Sequence, residues 1–173
     1  MSKNVDNLKV EELKNKVLEA QKNSDIAAMY VLQDEALEIF DEDTISGFYA
    51  NILDLALEKL TNTLESCEKL KMDDVQDFAT LRALYEYAME HYHAGAAKDA
   101  SALFEVLAGV TDDEYFSIAL KYHWKAASEN ISLDKFMNEY ADIEKTQGYN
   151  TFYISCFTKK AQELLDITKI VTE

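Results

Sequence analysis

Residues 84–107 read LYEYAMEHYHAGAAKDASALFEVL, and this stretch decides the fold. On both sides of Gly95, apolar side chains recur every three or four residues, which is typical of two amphipathic helices joined by a short turn. So short a connection predicts that the two helices pack as an antiparallel hairpin. Small side chains at Ala88 and Ala100 allow a close approach of the helices. Larger side chains fill the space around them: Leu84, Phe104 and Leu107.

The same helical spacing extends over nearly all of the 173 residues. Proline is absent and glycine occurs four times, so the residues that usually mark β-turns are scarce. We therefore predict an all-α fold of about eight helices. The predicted N-caps and capping boxes are Ser24, Thr44, Asp73 with Gln76, Thr111 to Glu114, and Ser132. The third helix is predicted to run on toward Met72. Gly109 is predicted to end the fifth helix, and Gly148 to separate the last two helices. The last helix is predicted to contain Phe152, Ile154 and Phe157.

The domain boundary is not marked by a flexible linker. The weakest join is the charged stretch at residues 71–77. It divides the chain into an N-terminal helical region (1–72) and a helical-hairpin region (73–173), unless the two form one continuous domain.

The chain is strongly acidic, with 33 acidic and 17 basic residues and a formal net charge of −16. Arg82 is its single arginine. Nucleic-acid binding needs basic side chains facing phosphate, so we expect no nucleic-acid partner. An anionic membrane surface would repel the chain, and no segment is apolar enough for membrane insertion. A basic protein partner would be attracted.

The two cysteines, Cys67 and Cys156, are far apart and form no CxxC motif. This usage is typical of reduced thiols inside cells. The N-terminal residues lack the apolar run of a signal peptide. We therefore expect a cytoplasmic protein.

The hairpin segment resembles a tetratricopeptide repeat, a 34-residue helix–turn–helix unit with defined small and large positions. Leu84, Ala88, Gly95, Ala100 and Phe104 fall in phase with that unit. Over residues 78–127 the chain resembles class II type III secretion chaperones, which hold secreted translocator proteins in the cytoplasm. The resemblance implies a right-handed array of TPR-like hairpins behind an N-terminal helical extension.

The resemblance also implies a binding surface. In such chaperones the first helix of each repeat lines a groove that accepts an extended peptide. The positions that match this lining are Tyr85, Met89, Tyr92, Tyr115, Ile118 and Tyr122. Tyrosine suits such a surface because it offers a large contact area with a polar end. The alternative interpretation is that these residues are simply core.

No pattern indicates an active site, and we expect no catalytic residue, no metal and no cofactor. Glu90 and His93 have the Glu-x-x-His spacing of helical di-iron sites, but the second pair that such sites need is missing. The acidic runs lack the ligand spacing of a calcium loop, and no glycine-rich phosphate loop occurs.

Two functions follow as hypotheses. The first is a non-enzymatic adaptor or chaperone that holds a partner polypeptide, such as a secreted substrate, on a TPR-like surface. The alternative is an acidic inhibitor or immunity protein that neutralises a basic toxin or nuclease. A structural subunit that forms a homodimer through residues 44–72 is a third possibility.

Overall fold

The computed structural model describes residues 2–165, and helices make up most of that range. Within the described residues there is no β-strand, so the predicted all-α fold is confirmed. The helices are α1 (Ser2–Lys22), α2 (Ile26–Ile39), α3 (Glu42–Ser66), α4 (Val75–His93), α5 (Ala97–Val110), α6 (Glu114–Ser128), α7 (Leu133–Lys135), α8 (Ile143–Tyr149) and α9 (Lys159–Leu165). Helix α7 continues as a turn of π-helix over Phe136–Tyr140. The arrangement of the hairpins as a right-handed array of TPR-like repeats remains a prediction.

The predicted hairpin of α4 and α5 forms. Its turn passes through Gly95, whose φ of 81° lies in the left-handed region that glycine adopts without steric cost. Ala88 and Ala100 are fully buried, as are Leu84 and Phe104. Helix α5 in turn packs against α6, so these three helices form the centre of the molecule.

Four helices begin at an aspartate next to or near the predicted cap. In each case a carboxylate oxygen accepts a backbone N–H of the first turn, where a negative charge also complements the helix dipole. These N-caps are Asp25, Asp41, Asp74 and Asp113, so the predictions of Ser24, Thr44, Asp73 and Thr111 were wrong. The prediction of Ser132 is confirmed.

Three predicted helix ends were also wrong. Helix α3 stops at Ser66 because Cys67 adopts a left-handed conformation, so the helix does not reach Met72. Gly109 lies inside α5 and Gly148 inside α8. The left-handed residue that ends α8 is Asn150.

Residues 71–77, predicted to be the weakest join, are anchored by hydrogen bonds near both ends. The backbone of Leu70 donates to the Val110 carbonyl at 2.8 Å and accepts from Asp112 N at 3.0 Å. Asp77 is buried, accepts from Lys71 N at 2.9 Å and pairs with Lys59 Nζ at 3.2 Å. The link between α3 and α4 is therefore fixed to the end of α5.

One hydrophobic core runs from Leu13 in α1 to Ala161 in α9. Helix α4 packs against α2 and α3 as well as α5, so the N-terminal and C-terminal regions share this core. In residues 2–165 no helix has both the length and the hydrophobicity required to cross a bilayer.

We predict that Asp77→Ala lowers the free energy of unfolding by ~1–3 kcal/mol, because it leaves Lys71 N–H without its acceptor and Lys59 without its counter-ion. Asp77→Asn keeps an acceptor and should lose less. Urea denaturation followed by circular dichroism measures both. The matched control is the exposed Asp73→Ala, for which we expect a change within ~0.5 kcal/mol. Equal effects at the two positions would contradict this account of the link.

Candidate binding cleft

A buried hydrogen-bond chain joins three separate parts of the sequence. Tyr85 Oη in α4 lies 2.9 Å from His123 Nε2 in α6, and both side chains are buried. His123 Nδ1 lies 2.7 Å from the Ala119 carbonyl oxygen one turn earlier. On the other side, Ile154 N–H donates to Tyr85 Oη at 3.1 Å. The chain thus ties α4, α6 and residue 154 together.

The geometry assigns the hydrogens along this chain. A carbonyl oxygen only accepts, so His123 Nδ1 must carry the proton that faces Ala119. The unprotonated Nε2 then accepts from the Tyr85 hydroxyl, whose oxygen remains available to Ile154 N–H. This arrangement requires a neutral imidazole. Burial agrees with it, since it lowers the pKa of His123 from 6.5 to about 4.

Aromatic rings enclose the chain. The ring centroids of Phe104 and Phe136 lie 5.0 and 4.9 Å from that of His123. Phe116 and Phe152 lie 6.1 and 6.0 Å from Tyr85, both edge to face. These contacts keep water away, which explains why burial also raises the pKa of Tyr85.

Residues 150–158 form a non-helical segment, although the sequence predicted a helix over Phe152, Ile154 and Phe157. Thr146 Oγ1 accepts from the backbone of both Ser155 and Cys156, at 3.3 and 3.0 Å. Asp142 N donates to the Cys156 carbonyl at 2.9 Å, and Thr158 N donates to the Tyr140 carbonyl at the same distance. Because these bonds and the Tyr85 contact satisfy its backbone elsewhere, the segment does not need helical hydrogen bonds.

A cleft of about 570 Å³ lies between α6, α8 and the 150–158 segment. Its volume falls within the roughly 300–1,000 Å³ range of ligand sites. Apolar groups of Ile118, Ala119 and Phe157 line part of it. Tyr115 and Tyr149 line it from α6 and α8, and their side chains are 82% and 66% exposed. These two tyrosines are available to a partner.

Polar groups also line the cleft, from Thr151, Ser155 and the tyrosine hydroxyls as well as from two charged residues. Asp113 and Lys145 supply one charge of each sign. Asp113 is already held as the N-cap of α6, accepting Phe116 N–H at 2.7 Å. Burial, reinforced by the Asp113 charge, raises the pKa of Tyr153 to about 12, so its hydroxyl remains a hydrogen-bond donor at neutral pH.

The six residues that the sequence predicted to line a binding surface lie in different parts of the structure. Tyr115 and Ile118 line the cleft. Tyr122 stacks on the cleft residue Phe157 with a centroid distance of 4.1 Å. Met89 is half-buried against the core. The fifth and sixth, Tyr85 and Tyr92, are in the core.

Burial of Tyr85 and Tyr92 has a clear physical cause. Tyr85 contacts the 150–158 segment, so part of the face expected to accept a foreign peptide is occupied by the chain itself. The Tyr92 hydroxyl donates to the Ile131 carbonyl. Both side chains therefore support the fold, as the alternative interpretation of the sequence held. Sequence reasoning missed every cleft residue after position 140. Lys145 and Tyr149 lie on α8, and the others lie on the segment misassigned as helix.

Among residues 7–163, whose side chains the structure describes, no group of three or more His, Cys, Asp or Glu is placed to hold a metal ion. Both nitrogens of His123 are engaged, and His93 is exposed. Cys156 lines the cleft, and its Sγ lies 3.7 Å from Ser155 Oγ, within hydrogen-bond distance for sulfur.

We predict that Tyr85→Phe lowers the free energy of unfolding by ~1–3 kcal/mol. The variant leaves His123 Nε2 and Ile154 N–H unpaired in an apolar environment. Tyr115→Phe removes the same hydroxyl from an exposed ring and should change stability by less than ~0.5 kcal/mol. Thermal and urea unfolding measure both. Comparable losses would show that the buried chain does not support the fold.

We predict that His123 makes the protein less stable as the pH falls. The folded-state pKa lies below the unfolded value, so between pH 6.5 and about 4 the unfolded state binds more protons. The resulting loss approaches ~1.4 kcal/mol per pH unit within that window and ends below it.

Protonation of the many carboxylates acts in the same pH range, so the measurement needs a reference. The stability advantage of the wild type over His123→Gln should shrink from pH 6.5 to 4, because the variant lacks the buried imidazole. Urea titrations at half-unit pH intervals provide the data. A constant advantage over His123→Gln would contradict a neutral buried imidazole.

No protein-family model, no curated protein and no solved structure matches this chain.

Proposed function

We propose that the protein is a non-enzymatic adaptor or chaperone that holds a segment of a partner protein in the cleft between α6 and the 150–158 segment. The observation that carries the proposal is the pair of exposed tyrosines, Tyr115 and Tyr149, beside an apolar surface. Tyrosine is enriched where proteins bind proteins, because it contributes area with little loss of side-chain entropy.

The concave shape of the cleft supports this proposal. A flat apolar patch offers a partner no pocket, whereas hot-spot side chains at interfaces fill well-packed, desolvated pockets. The cleft has room for such side chains, and Lys145 and Asp113 lie in it for polar contacts. Its walls are fixed by the bonds from Thr146 and Tyr85 to the 150–158 segment, so little ordering is required on binding.

The test begins by identifying the partner at the proposed site. A photo-crosslinking amino acid is placed at Tyr115 in one sample and at Val31 in another. Val31 is 81% exposed on α2 and serves as the control. A protein crosslinked from position 115 alone is then purified for affinity measurements. A protein captured equally from both positions would not be specific for the cleft, and this result would count against the proposal.

We predict that Tyr115→Ala with Tyr149→Ala weakens binding of that purified partner by ~2 kcal/mol or more, because it removes two aromatic anchors. Isothermal titration calorimetry measures the loss. The matched control is Val31→Ala with Leu37→Ala, which removes two similarly exposed apolar side chains from α2. It should leave the affinity within ~0.5 kcal/mol. Unchanged affinity in the tyrosine variant would overturn the cleft as the binding site.

A further inference from the structure

A second groove, of about 240 Å³, lies where α2, α3 and α4 meet. Tyr30, Tyr49 and Tyr87 contribute aromatic rings to it. Two carboxylates, those of Glu86 and Glu90, lie in the same groove. Its remaining lining is apolar. The groove therefore combines aliphatic, aromatic and anionic surfaces within a small space.

These three surfaces together match one kind of side chain. An arginine or lysine has an apolar stem that packs on aliphatic groups, and a cationic head that is attracted to aromatic faces and to carboxylates. The planar guanidinium of arginine stacks on a ring and forms bidentate hydrogen bonds, so arginine fits better than lysine.

The protein itself shows this mode of recognition at the edge of the groove. The guanidinium carbon of Arg82 lies 4.1 Å from the centroid of the Tyr30 ring. Arg82 Nε also donates to Glu86 Oε1 at 2.9 Å, while the other oxygen of Glu86 accepts from the Tyr30 hydroxyl at 2.8 Å. An arginine is thus already bound by one tyrosine and one glutamate of this groove. Glu90, one turn further along α4, is exposed and has no ion pair among the described residues.

The charge around the groove favours an additional cation. Residues 23–58, which include α2 and most of α3, contain nine acidic residues and no lysine or arginine. A cationic segment would therefore meet attraction with no competing positive side chain from that stretch. Charge complementarity of this kind increases association rates and selects partners.

We propose that this groove, formed by Tyr30, Tyr49, Glu86, Tyr87 and Glu90, docks a basic, arginine-containing segment of a partner protein. The incoming guanidinium pairs with Glu90 and stacks on the ring of Tyr49, which is 38% exposed. The site is separate from the cleft at α6, and the proposal does not depend on the cleft.

The experiment uses the full-length, ¹⁵N-labelled protein and a defined peptide probe of alternating arginine and glycine. An otherwise identical peptide with citrulline in place of arginine keeps the shape and removes the charge. Amide chemical shifts and calorimetry are recorded at low and at near-physiological salt. We expect the arginine peptide to bind, with chemical-shift changes concentrated on α3 and α4. We expect the affinity of the citrulline peptide to be lower by about tenfold or more.

Two variants and their controls locate the site. Glu90→Gln and Tyr49→Ala should each weaken the arginine peptide about threefold or more. The controls are Glu105→Gln, an exposed glutamate on α5, and Tyr115→Ala, which belongs to the other cleft. Both should bind the peptide as the wild type does. Circular dichroism melting checks that every variant is folded.

Three results would overturn the proposal. Equal weakening by Glu90→Gln and Glu105→Gln would mean that the peptide senses only the net charge. Equal binding of the citrulline peptide would remove the cation from the interaction. Loss of binding in Tyr115→Ala, with the groove variants unaffected, would place the peptide in the α6 cleft.

Discussion

The hydrogen bond between Tyr85 and His123 is the constraint on which the centre of this protein depends. A buried imidazole that has no carboxylate beside it is tolerated only in its neutral form, with both of its nitrogens paired. Satisfying it requires α4 for the hydroxyl and α6 for the carbonyl of Ala119. The hydroxyl oxygen of Tyr85 can still accept a hydrogen bond, and Ile154 N–H donates one to it. One buried polar group therefore positions two helices and the segment that completes the cleft.

The α4–α5 hairpin was predictable because its determinants are local. Helical spacing around Gly95 and small residues at Ala88 and Ala100 specify it within about thirty residues of sequence. Helix caps were harder, since several aspartates, serines and threonines compete at each start. Asp25 prevailed over Ser24 and Asp74 over Asp73 through hydrogen bonds that depend on the exact direction of the entering chain.

The candidate site was only half visible in the sequence. Tyr115 and Ile118 lie on a regular helix, so their exposure follows from a periodic pattern. The opposite wall depends on residues 150–158, whose apolar spacing also suits a helix. Residues 151–158, TFYISCFT, are rich in aromatic and β-branched residues that favour extended backbone, and Asn150 readily adopts the left-handed turn that ends α8. What decides between the two conformations is non-local: the acceptors offered by Tyr85, Thr146 and Tyr140.

Helix α4 connects the two surfaces. Adjacent positions on a helix point about 100° apart, so Tyr85 faces the core while Glu86 and Tyr87 face the groove with α2 and α3. The bond from Tyr85 to His123 is one of the core contacts that set the rotation of α4 about its axis, and that rotation decides where Glu86 and Glu90 present their carboxylates. One face of α4 is therefore committed to the buried polar chain, while another lines the groove that we propose as a docking site.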